Sequence, residues 1–272
     1  MMRDIAQLEK VGRQIRRDII QMTTLAGSGH PGGSLSATDL MAALYFEIAN
    51  VDPSDPMKED RDRVIYSKAH VTPLIYSVLA RRGFFDPELL KTFRKLGSPL
   101  QGHPHIHCVP GIEMSGGSLG QGISIALGTA IAGKMDRAPW RVYCLMGDGE
   151  LQEGQVWEAF MAAAHYKADN LTAIIDKNGL EIDGTTKDVM DIDPLEKKLE
   201  AFGWHVIECD GHDYGQILYA FDQAKQTKGK PQAIIAHTVK GKGVSFMENN
   251  AEWHGKAPNQ VEAEKALLEL AD

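Results

Sequence analysis

Two short segments place oxygen-bearing side chains directly after apolar runs of the chain. Asp148 stands between two glycines after the apolar run 141–146, and Asn178 follows the apolar run 171–176. The 28 residues between Gly149 and Asn178 match the length of one helical crossover and its return strand. Parallel strands connected in this way deliver both side chains to one edge of a sheet, where such sheets bind ligands. Carboxylate and amide oxygens are ligands that Mg²⁺ takes together with phosphate oxygens and water.

The residues around Asp148 also suit a phosphate group. Gly147 and Gly149 let the backbone turn sharply and approach a ligand closely. A helix that starts near Leu151 would point its first N–H groups at an anion. Asp148, Asn178 and one backbone carbonyl would leave positions on an octahedral cation for two phosphate oxygens and a water. The alternative is two unrelated turns, since Asn-Gly is a common turn pair, but the order and spacing of the segments favour a cation site that binds a diphosphate.

Helical and strand patterns alternate through the chain. Apolar residues recur every three or four positions over 5–22, which predicts an amphipathic helix. The glycine-rich stretch 27–33 predicts a loop, and a helix over 36–49 follows it. The capping candidates of that helix are Ser36, Thr38 and Asp39. The other predicted helices cover 72–82, 87–93, 121–133, 152–166, 194–202, 214–226 and 261–271, and the predicted strands cover 63–67, 141–146, 171–176, 204–209 and 232–237.

This alternation predicts an α/β fold, a parallel sheet with helices on both faces. One domain over 1–272, with a loop-rich tail from about 240, accounts for the pattern. The stretch 97–120 predicts a long loop, and loops of that length inside a domain are usually functional.

Composition excludes several classes of partner and site. The formal net charge of −8 argues against nucleic acid and anionic membranes as partners. The three cysteines include no C-x-x-C pair, which argues against a zinc site and a disulfide framework. The N-terminal segment resembles no signal peptide, and no apolar run is long enough to span a membrane. We therefore expect a soluble cytoplasmic protein.

Three segments resemble the thiamine diphosphate enzymes, and the transketolase family in particular. They are 147–154 (GDGELQEG), 157–159 (WEA) and 176–184 (DKNGLEIDG). The resemblance implies that Asp148, Asn178 and the carbonyl of Leu180 bind Mg²⁺, or another divalent cation such as Ca²⁺ or Mn²⁺. It also implies that Gly149 contacts the diphosphate of thiamine diphosphate, that Glu150 is a further cofactor-binding residue, and that Ile182 lies against the cofactor.

Four of the ten histidines lie in loop segments that resemble the same family. His30 follows Gly29, His70 ends the segment 67–70, His103 follows Gly102, and His254 follows Trp253. The resemblance implies that His30, His103 and His254 act on the substrate, and that His70 and His254 contact the diphosphate. The loop that lies beneath the cofactor rings in the family corresponds here to Gly117, Ser118 and Leu119, with serine where the family often has proline.

Imidazoles suit the reaction that this resemblance implies. Transfer of a two-carbon ketol unit moves protons on and off sugar hydroxyls near neutral pH, the range in which histidine titrates. Alternate histidines at 103, 105 and 107 could instead bind a transition metal. No cysteine or carboxylate at ligand spacing accompanies them, and Pro104 interrupts the run.

The resemblance extends from His30 to Pro258, which is less than half of a full-length transketolase. It covers the diphosphate-binding module and not the pyrimidine-binding module, whose glutamate activates the aminopyrimidine ring. We therefore hypothesise one subunit of a split transketolase, completed by a C-terminal subunit with the pyrimidine module, as an α2β2 assembly. Glu153 matches a family glutamate at the module interface and is a further catalytic candidate, although it could simply favour the dipole of its helix.

Three alternatives stay open from the sequence. The first is the α subunit of a 2-oxo acid dehydrogenase, and the second is a non-catalytic cofactor-binding or regulatory subunit. The third is a nucleotide-binding α/β protein, although the sequence lacks both G-x-G-x-x-G between strand and helix and a P-loop. The segment 240–243 is either a solvated loop or a lid near the active site, and we favour the lid. Sugar phosphates are the expected substrates, with sulfonated or branched sugars possible.

Overall fold

Five strands form one parallel sheet in the computed structural model, which describes residues 3–271. They are β1 (Arg63–Tyr66), β2 (Val142–Gly147), β3 (Leu171–Lys177), β4 (His205–Asp210) and β5 (Gln232–His237). Their order across the sheet is β1-β2-β3-β5-β4, and every neighbouring pair is parallel. Gly147 pairs with Asp176, so the ends of β2 and β3 lie side by side. The predicted α/β fold with a parallel sheet is confirmed.

Helices cover the sheet and connect its strands. The α-helices are α1 (Ile5–Ala26), α2 (Pro31–Ser36), α3 (Thr38–Ala43), α4 (Thr72–Arg82), α5 (Gln121–Met135), α6 (Gly154–His165), α7 (Thr186–Met190), α8 (Leu195–Ala201), α9 (Tyr214–Gln226) and α10 (Gln260–Glu269). Leu44–Ile48 is a π-helix, and Pro87–Thr92, Gly149–Gln152 and Ala251–Trp253 are 3₁₀-helices. Within 3–271, no helix has both the length and the apolar character that crossing a membrane requires.

Side chains alternate along β2 between two hydrophobic cores, one on each face of the sheet. Tyr143 and Leu145 belong to the core that α1, α3, α4 and α9 cover. Cys144 and Met146 belong to the opposite core, which α5, α6 and α8 cover. All four side chains are fully buried, which explains why β2 has a continuous apolar sequence rather than an alternating one.

The predicted glycine-rich loop and the helix after it differ from the structure. α2 begins at Pro31, within the predicted loop, because proline suits the first turn of a helix. The prediction that Ser36, Thr38 and Asp39 cap a helix is wrong. Ser36 ends α2 and bonds to Asp176, whereas Thr38 and Asp39 lie in the first turn of α3. Instead of capping a helix, the buried hydroxyl of Thr38 donates to the carbonyl of Ser34, and the buried carboxylate of Asp39 accepts from Arg16.

Element boundaries elsewhere shift by a few residues. The first helix continues to Ala26, where Gly27 ends it in a left-handed conformation. The predicted helix 152–166 is divided into the 3₁₀-helix Gly149–Gln152 and α6. The short helix α7, which Thr185 caps, was not predicted. The predicted loop 97–120 contains no helix or strand.

Two glycines of α5 provide a matched test of the packing between this helix and β1. A Cβ at Gly122 would lie 2.5 Å from the Cα of Ser67, whereas a Cβ at Gly128 would meet nothing within 4 Å. We expect Gly122→Ala to lower the free energy of unfolding by ~1–3 kcal/mol through overpacking. Gly128→Ala should leave it equal or raise it by up to ~1 kcal/mol, because alanine favours helix. Denaturant unfolding measures both, and equal effects would contradict the packing described.

Candidate active site

A cavity of about 230 Å³ opens at the carboxyl ends of β1, β2 and β3. The structure brings most of the predicted site residues to its wall: His30, His70, Gly117, Leu119, Asp148, Gly149, Glu150, Asn178, Leu180, Ile182 and His254. Gly33, Lys68, Gly147, Glu181 and Lys240, which were not predicted as site residues, line the same cavity.

Asp148 and Asn178 occupy adjacent strand ends, as the spacing predicted. Asp148 is 2% exposed, and its carboxylate accepts hydrogen bonds from the N–H of Gly149 (2.9 Å) and of Gly179 (2.5 Å). Burial, and next the charge of Asp176, raise the pKa of Asp148 to about 6. A carboxylate whose charged form is disfavoured in this way would be stabilised by a bound cation.

A tight turn after Asn178 holds the carbonyl of Leu180 in the cavity wall. The turn is closed by a bridge between Leu180 and Thr185, and Gly179 adopts a φ of 76° that favours glycine. No cluster of three or more His, Cys, Asp or Glu suited to a metal occurs within 3–271. A cation here would therefore depend on one carboxylate together with amide and carbonyl oxygens, a donor set that fits a hard cation with phosphate and water as further ligands.

Asp176, at the end of β3, fixes the orientation of the Asn178 amide. Its carboxylate is fully buried and accepts hydrogen bonds from Lys68, Ser36, Thr238 and, at 3.3 Å, the Nδ2 of Asn178. Burial opposes its charge, but the Lys68 ammonium and these bonds hold the pKa of Asp176 below its usual range. Because Nδ2 donates to Asp176, the Oδ1 of Asn178 is the atom that can bind a cation. In the structure this oxygen accepts a hydrogen bond from the N–H of Leu180.

His30, His70 and His254 form one cluster in the cavity. Their ring centroids are 5.1 to 5.7 Å apart, and His70 stacks on His254. Burial lowers the pKa of His30 to about 4 and that of His254 to about 3, with nearby positive charges adding to the effect. The pKa of His70 is lowered well below its ordinary value for the same reasons. The three imidazoles are therefore neutral near pH 7.

One atom of this cluster points to a bound ligand. Among the described residues, the Nδ1 of His30 is buried and has no hydrogen-bond partner. Buried polar atoms normally have a partner, so an unpaired one beside a cavity is typical of a site that a ligand completes.

Two buried lysines are part of the cavity wall. The Nζ of Lys68 donates to the carbonyl of Gly33 at 3.1 Å and to Asp176. The Nζ of Lys240 lies 3.0 Å from the carbonyl oxygen of Leu180 and 2.9 Å from the Nδ1 of His254. Burial lowers the pKa of Lys240 to about 8.

Neither lysine was named as a site residue from the sequence, although the segment 240–243 was favoured as a lid near the active site. Lys68 follows β1 just as Asp148 follows β2, so its position at a strand end could have identified it. Lys240 was placed in a solvated loop or a lid, but its side chain is 2% exposed and belongs to the wall.

Three predicted residues, His103, Ser118 and Glu153, are exposed and lie outside the cavity wall. The ring of His103 lies beside Gly117, and the side chain of Glu153 packs against Gly120. His103 and Glu153 thus flank the loop that enters the cavity at Gly117 and Leu119, and Ser118 belongs to it.

Glu150 connects that loop to the end of β2. Its buried carboxylate accepts hydrogen bonds from the hydroxyl of Ser67 and from the N–H groups of Gly120 (2.8 Å) and Gly147 (3.0 Å). Its oxygens therefore hold three parts of the wall together. Its predicted contact with the cofactor stays a prediction.

Oxygen ligands at two strand ends, two buried ammonium groups and neutral imidazoles together suit a cofactor with a phosphate group. Residues 7–269 match the family model described as "Transketolase, thiamine diphosphate binding domain". This chain belongs to the transketolase family. The resemblance inferred from 147–154, 157–159 and 176–184 is confirmed, and with it the thiamine diphosphate binding domain.

Relatives of similar length are transketolase subunits. An apulose-4-phosphate transketolase subunit of Phocaeicola vulgatus is 42% identical over 98% of this chain and 95% of its own length. The 6-deoxy-6-sulfo-D-fructose transketolase subunit SqwG of Clostridium sp. (strain MSTE9) is 42% identical over 96% of this chain and 97% of its own. The predicted class, a split transketolase subunit rather than a 2-oxo acid dehydrogenase or nucleotide-binding protein, is confirmed by these relatives.

The fold agrees with solved transketolases. The structure of transketolase from Campylobacter jejuni superposes with a TM-score of 0.93 and is 34% identical. The match covers 98% of this chain but only 43% of that one, so the chain spans less than half of the solved enzyme.

The lowered pKa of His30 predicts a loss of stability in acid. The unfolded chain binds a proton at His30 near the ordinary pKa of 6.5, whereas the folded chain binds it only near pH 4. The contribution of His30 to stability is therefore present above pH 6.5 and is lost as the pH falls through about 4. We expect His30→Gln to lose less unfolding free energy between pH 6.5 and 4 than the unaltered chain does.

Denaturant titrations at a series of pH values measure this difference. His105→Gln, in the exposed part of the loop 97–120, is the matched control. Parallel pH profiles for the unaltered chain and His30→Gln would contradict the buried, neutral state of His30.

Proposed function

We propose that this chain is the diphosphate-binding subunit of a split transketolase. The assembled enzyme transfers a two-carbon ketol unit from a ketose phosphate to an aldose phosphate with thiamine diphosphate. The observation that carries the proposal is the meeting of the neutral cluster His30, His70 and His254 with Asp148 and Asn178 in one cavity.

The strand ends would hold the metal and the diphosphate. We assign Asp148, Asn178 and the carbonyl of Leu180 as ligands of Mg²⁺, with Ca²⁺ or Mn²⁺ as possible substitutes. All three residues line the cavity, and a cation would stabilise the ionised form of Asp148.

The remaining wall would contact the rest of the cofactor. We assign Gly149, His70 and His254 to its diphosphate end, and Glu150 as a cofactor-site residue that holds the wall in place. The rings of the cofactor would lie against Gly117, Ser118, Leu119 and Ile182. The ammonium groups of Lys68 and Lys240, which face the same cavity, would offset the negative charge of a diphosphate.

Thiamine diphosphate, when bound, supplies the carbanion stabilisation that ketol transfer requires. The protein would position the sugar and move its protons. A protonated Lys240 donates to the Nδ1 of His254, which leaves the proton of the neutral ring on Nε2, free to donate to a sugar oxygen. His30 and His103 would act on other hydroxyls or carbonyls of the sugar, and Glu153 would act at the edge shared with a partner.

Residues that precede α5 and α6 line the cavity, and exposed apolar side chains lie on these helices and on the cavity wall. Ile182 is 68% exposed, and Ile125 on α5 and Met161 on α6 are also exposed, at 43% and 60%. Exposed apolar side chains near a ligand site are typical of a surface that a partner covers. We propose that a subunit with the pyrimidine-binding module covers it, as an α2β2 assembly, and supplies the glutamate that activates the aminopyrimidine ring.

The names of the relatives suggest a class of substrate. Apulose 4-phosphate and 6-deoxy-6-sulfo-D-fructose are both sugars with an anionic tail, a phosphate in one case and a sulfonate in the other. We propose that this enzyme acts on sugars with such a tail. A cytoplasmic location also stays a prediction.

Reconstitution tests the proposal. The chain alone should release no aldose phosphate from a ketose phosphate donor, and addition of the pyrimidine-module subunit, thiamine diphosphate and Mg²⁺ should produce ketol transfer. His254→Gln should lower the rate by ~100-fold or more, the scale of one lost acid–base group. The matched control is His237→Gln, since His237 is exposed and pairs with Glu208. This substitution should leave the rate of ketol transfer unchanged.

Two results would contradict the proposal. Full activity of the chain alone would show that no partner completes the site. Full activity of the partner without this chain would favour the non-catalytic, regulatory alternative.

A further inference from the structure

Two side chains hold the segment after β5 on either side of Lys240. The ring Nε2 of His212 accepts a hydrogen bond from the N–H of Val239 at 2.9 Å. The Nε of Arg16 donates to the carbonyl of Lys242 at 3.1 Å. Lys240 thus enters the cavity from a stretch of backbone that is held one residue before it and two residues after it.

Both side chains meet on one buried carboxylate, that of Asp39. The guanidinium of Arg16 forms two hydrogen bonds with it, at 2.9 and 2.6 Å. His212 contacts it through Nδ1 at 2.8 Å, and the hydroxyl of Tyr214 donates to it at 3.0 Å. Burial opposes the charge of Asp39, but Arg16 and His212 hold its pKa well below the usual range.

Stability alone is a weak reason for such a cluster. A buried ion pair often contributes no more to stability than apolar side chains of the same volume would. Asp39 and Arg16 are 4% and 7% exposed, and neither lines the cavity that holds the histidines. The cluster does, however, fix the direction of the backbone that leaves the sheet toward that cavity.

The contacts of His212 determine its protonation. The N–H of Val239 can only donate, so the Nε2 of His212 must be the unprotonated acceptor. The proton of the ring is then on Nδ1, which donates to Asp39. The neutral ring therefore connects the buried carboxylate of Asp39 to the backbone next to Lys240 by two hydrogen bonds.

Backbone hydrogen bonds also hold this segment: the N–H of Gly241 donates to the carbonyl of Gly32 at 3.0 Å, and the carbonyl of Lys240 accepts from the N–H of Asn249 at 3.0 Å. The contacts of His212 and Arg16 add to these bonds in a segment where two glycines follow Lys240.

Gly241 and Gly243 have φ values of 79° and 92°, and glycine at such positions leaves the backbone free to adopt other conformations. The Nζ of Lys240 must nevertheless lie 3.0 Å from the carbonyl of Leu180 and 2.9 Å from His254.

We propose that Asp39, His212 and Arg16 are positioning residues for Lys240, acting through the backbone at Val239 and Lys242. This inference deepens the proposed function, since it gives the cation of Lys240 a defined place beside the predicted diphosphate site. It does not depend on ketol transfer for its test, because the position of Lys240 can be measured in the chain alone.

Two substitutions of His212 distinguish its hydrogen bond to the backbone at Val239 from its hydrogen bond to the carboxylate of Asp39. The amide nitrogen of an asparagine occupies the place of Nδ1 and can donate to Asp39, but no atom of asparagine reaches Val239. The amide oxygen of a glutamine occupies the place of Nε2 and can accept from Val239. His212→Asn therefore keeps the contact with the carboxylate, and His212→Gln keeps the contact with the backbone.

The first measurement is the rate at which formaldehyde and a borohydride reagent methylate Lys240 in the chain without cofactor, read by peptide mass spectrometry. We expect His212→Asn to raise that rate by ~10-fold, the scale of one lost buried hydrogen bond. His212→Gln, which keeps the bond to Val239 but loses the bond to Asp39, should raise it by less. The control is His237→Asn, since His237 is an exposed residue of β5 that pairs with the carboxylate of Glu208. This substitution should not change the methylation rate of Lys240.

The second measurement uses the enzyme reconstituted with its partner subunit. His212→Asn should raise the KM for thiamine diphosphate by ~10-fold and change kcat less, while His212→Gln should raise the KM by a smaller factor. Denaturant unfolding of both variants accompanies these assays.

The other outcomes overturn the proposal. If His212→Gln exposes Lys240 and His212→Asn does not, His212 serves only to satisfy Asp39. If both variants raise the methylation rate of Lys240 equally, and in proportion to their loss of unfolding free energy, the cluster has only a structural role. If neither variant raises that rate, Lys240 is held without the cluster. Failure of ketol transfer with normal labelling of Lys240 would refute the proposed function and leave this inference intact.

Discussion

The carboxylate of Asp176 has no contact with solvent, and the candidate site is arranged around it. It joins the end of α2 through Ser36, the exit of β1 through Lys68 and the exit of β5 through Thr238. Removal of one partner of such a buried charged pair costs on the order of 3–5 kcal/mol, because the other charge is left uncompensated. The three segments that carry His30, His70 and Lys240 are thereby held at one edge of the sheet.

The chemistry of the cavity follows from this arrangement. The two ammonium groups that approach the edge, Lys68 and Lys240, add to the burial that lowers the pKa of His70 and His254. The imidazoles are consequently neutral and able to exchange protons with a sugar, while the positive charge faces the place proposed for a diphosphate. Burial disfavours the ionised form of Asp148, and a cation there would reverse that penalty.

Local sequence rules predicted the parts of the site that depend on local geometry. Asp148 and Asn178 could be placed together because parallel strands bring their carboxyl ends to one edge, whatever the rest of the chain does. Ser36 and Asp39 were misjudged as caps because their partners are distant in sequence. Ser36 bonds to Asp176, 140 residues away, and Arg16 reaches Lys242 across 226 residues. The strand-end rule would have placed Lys68 as well, whereas the burial of Lys240 depends on contacts with Leu180 and His254 that only the folded chain shows.

The central claim is that Asp148, Asn178 and the carbonyl of Leu180 form a cation site that binds the diphosphate end of thiamine diphosphate. The most direct measurement is a calorimetric titration of the chain, with its partner subunit present, with thiamine diphosphate in Mg²⁺ or in chelator. We predict binding that requires Mg²⁺ and that Asp148→Asn abolishes, while Asp55→Asn on the exposed surface leaves it unchanged. Equal binding in chelator, or undiminished binding by Asp148→Asn, would contradict this claim.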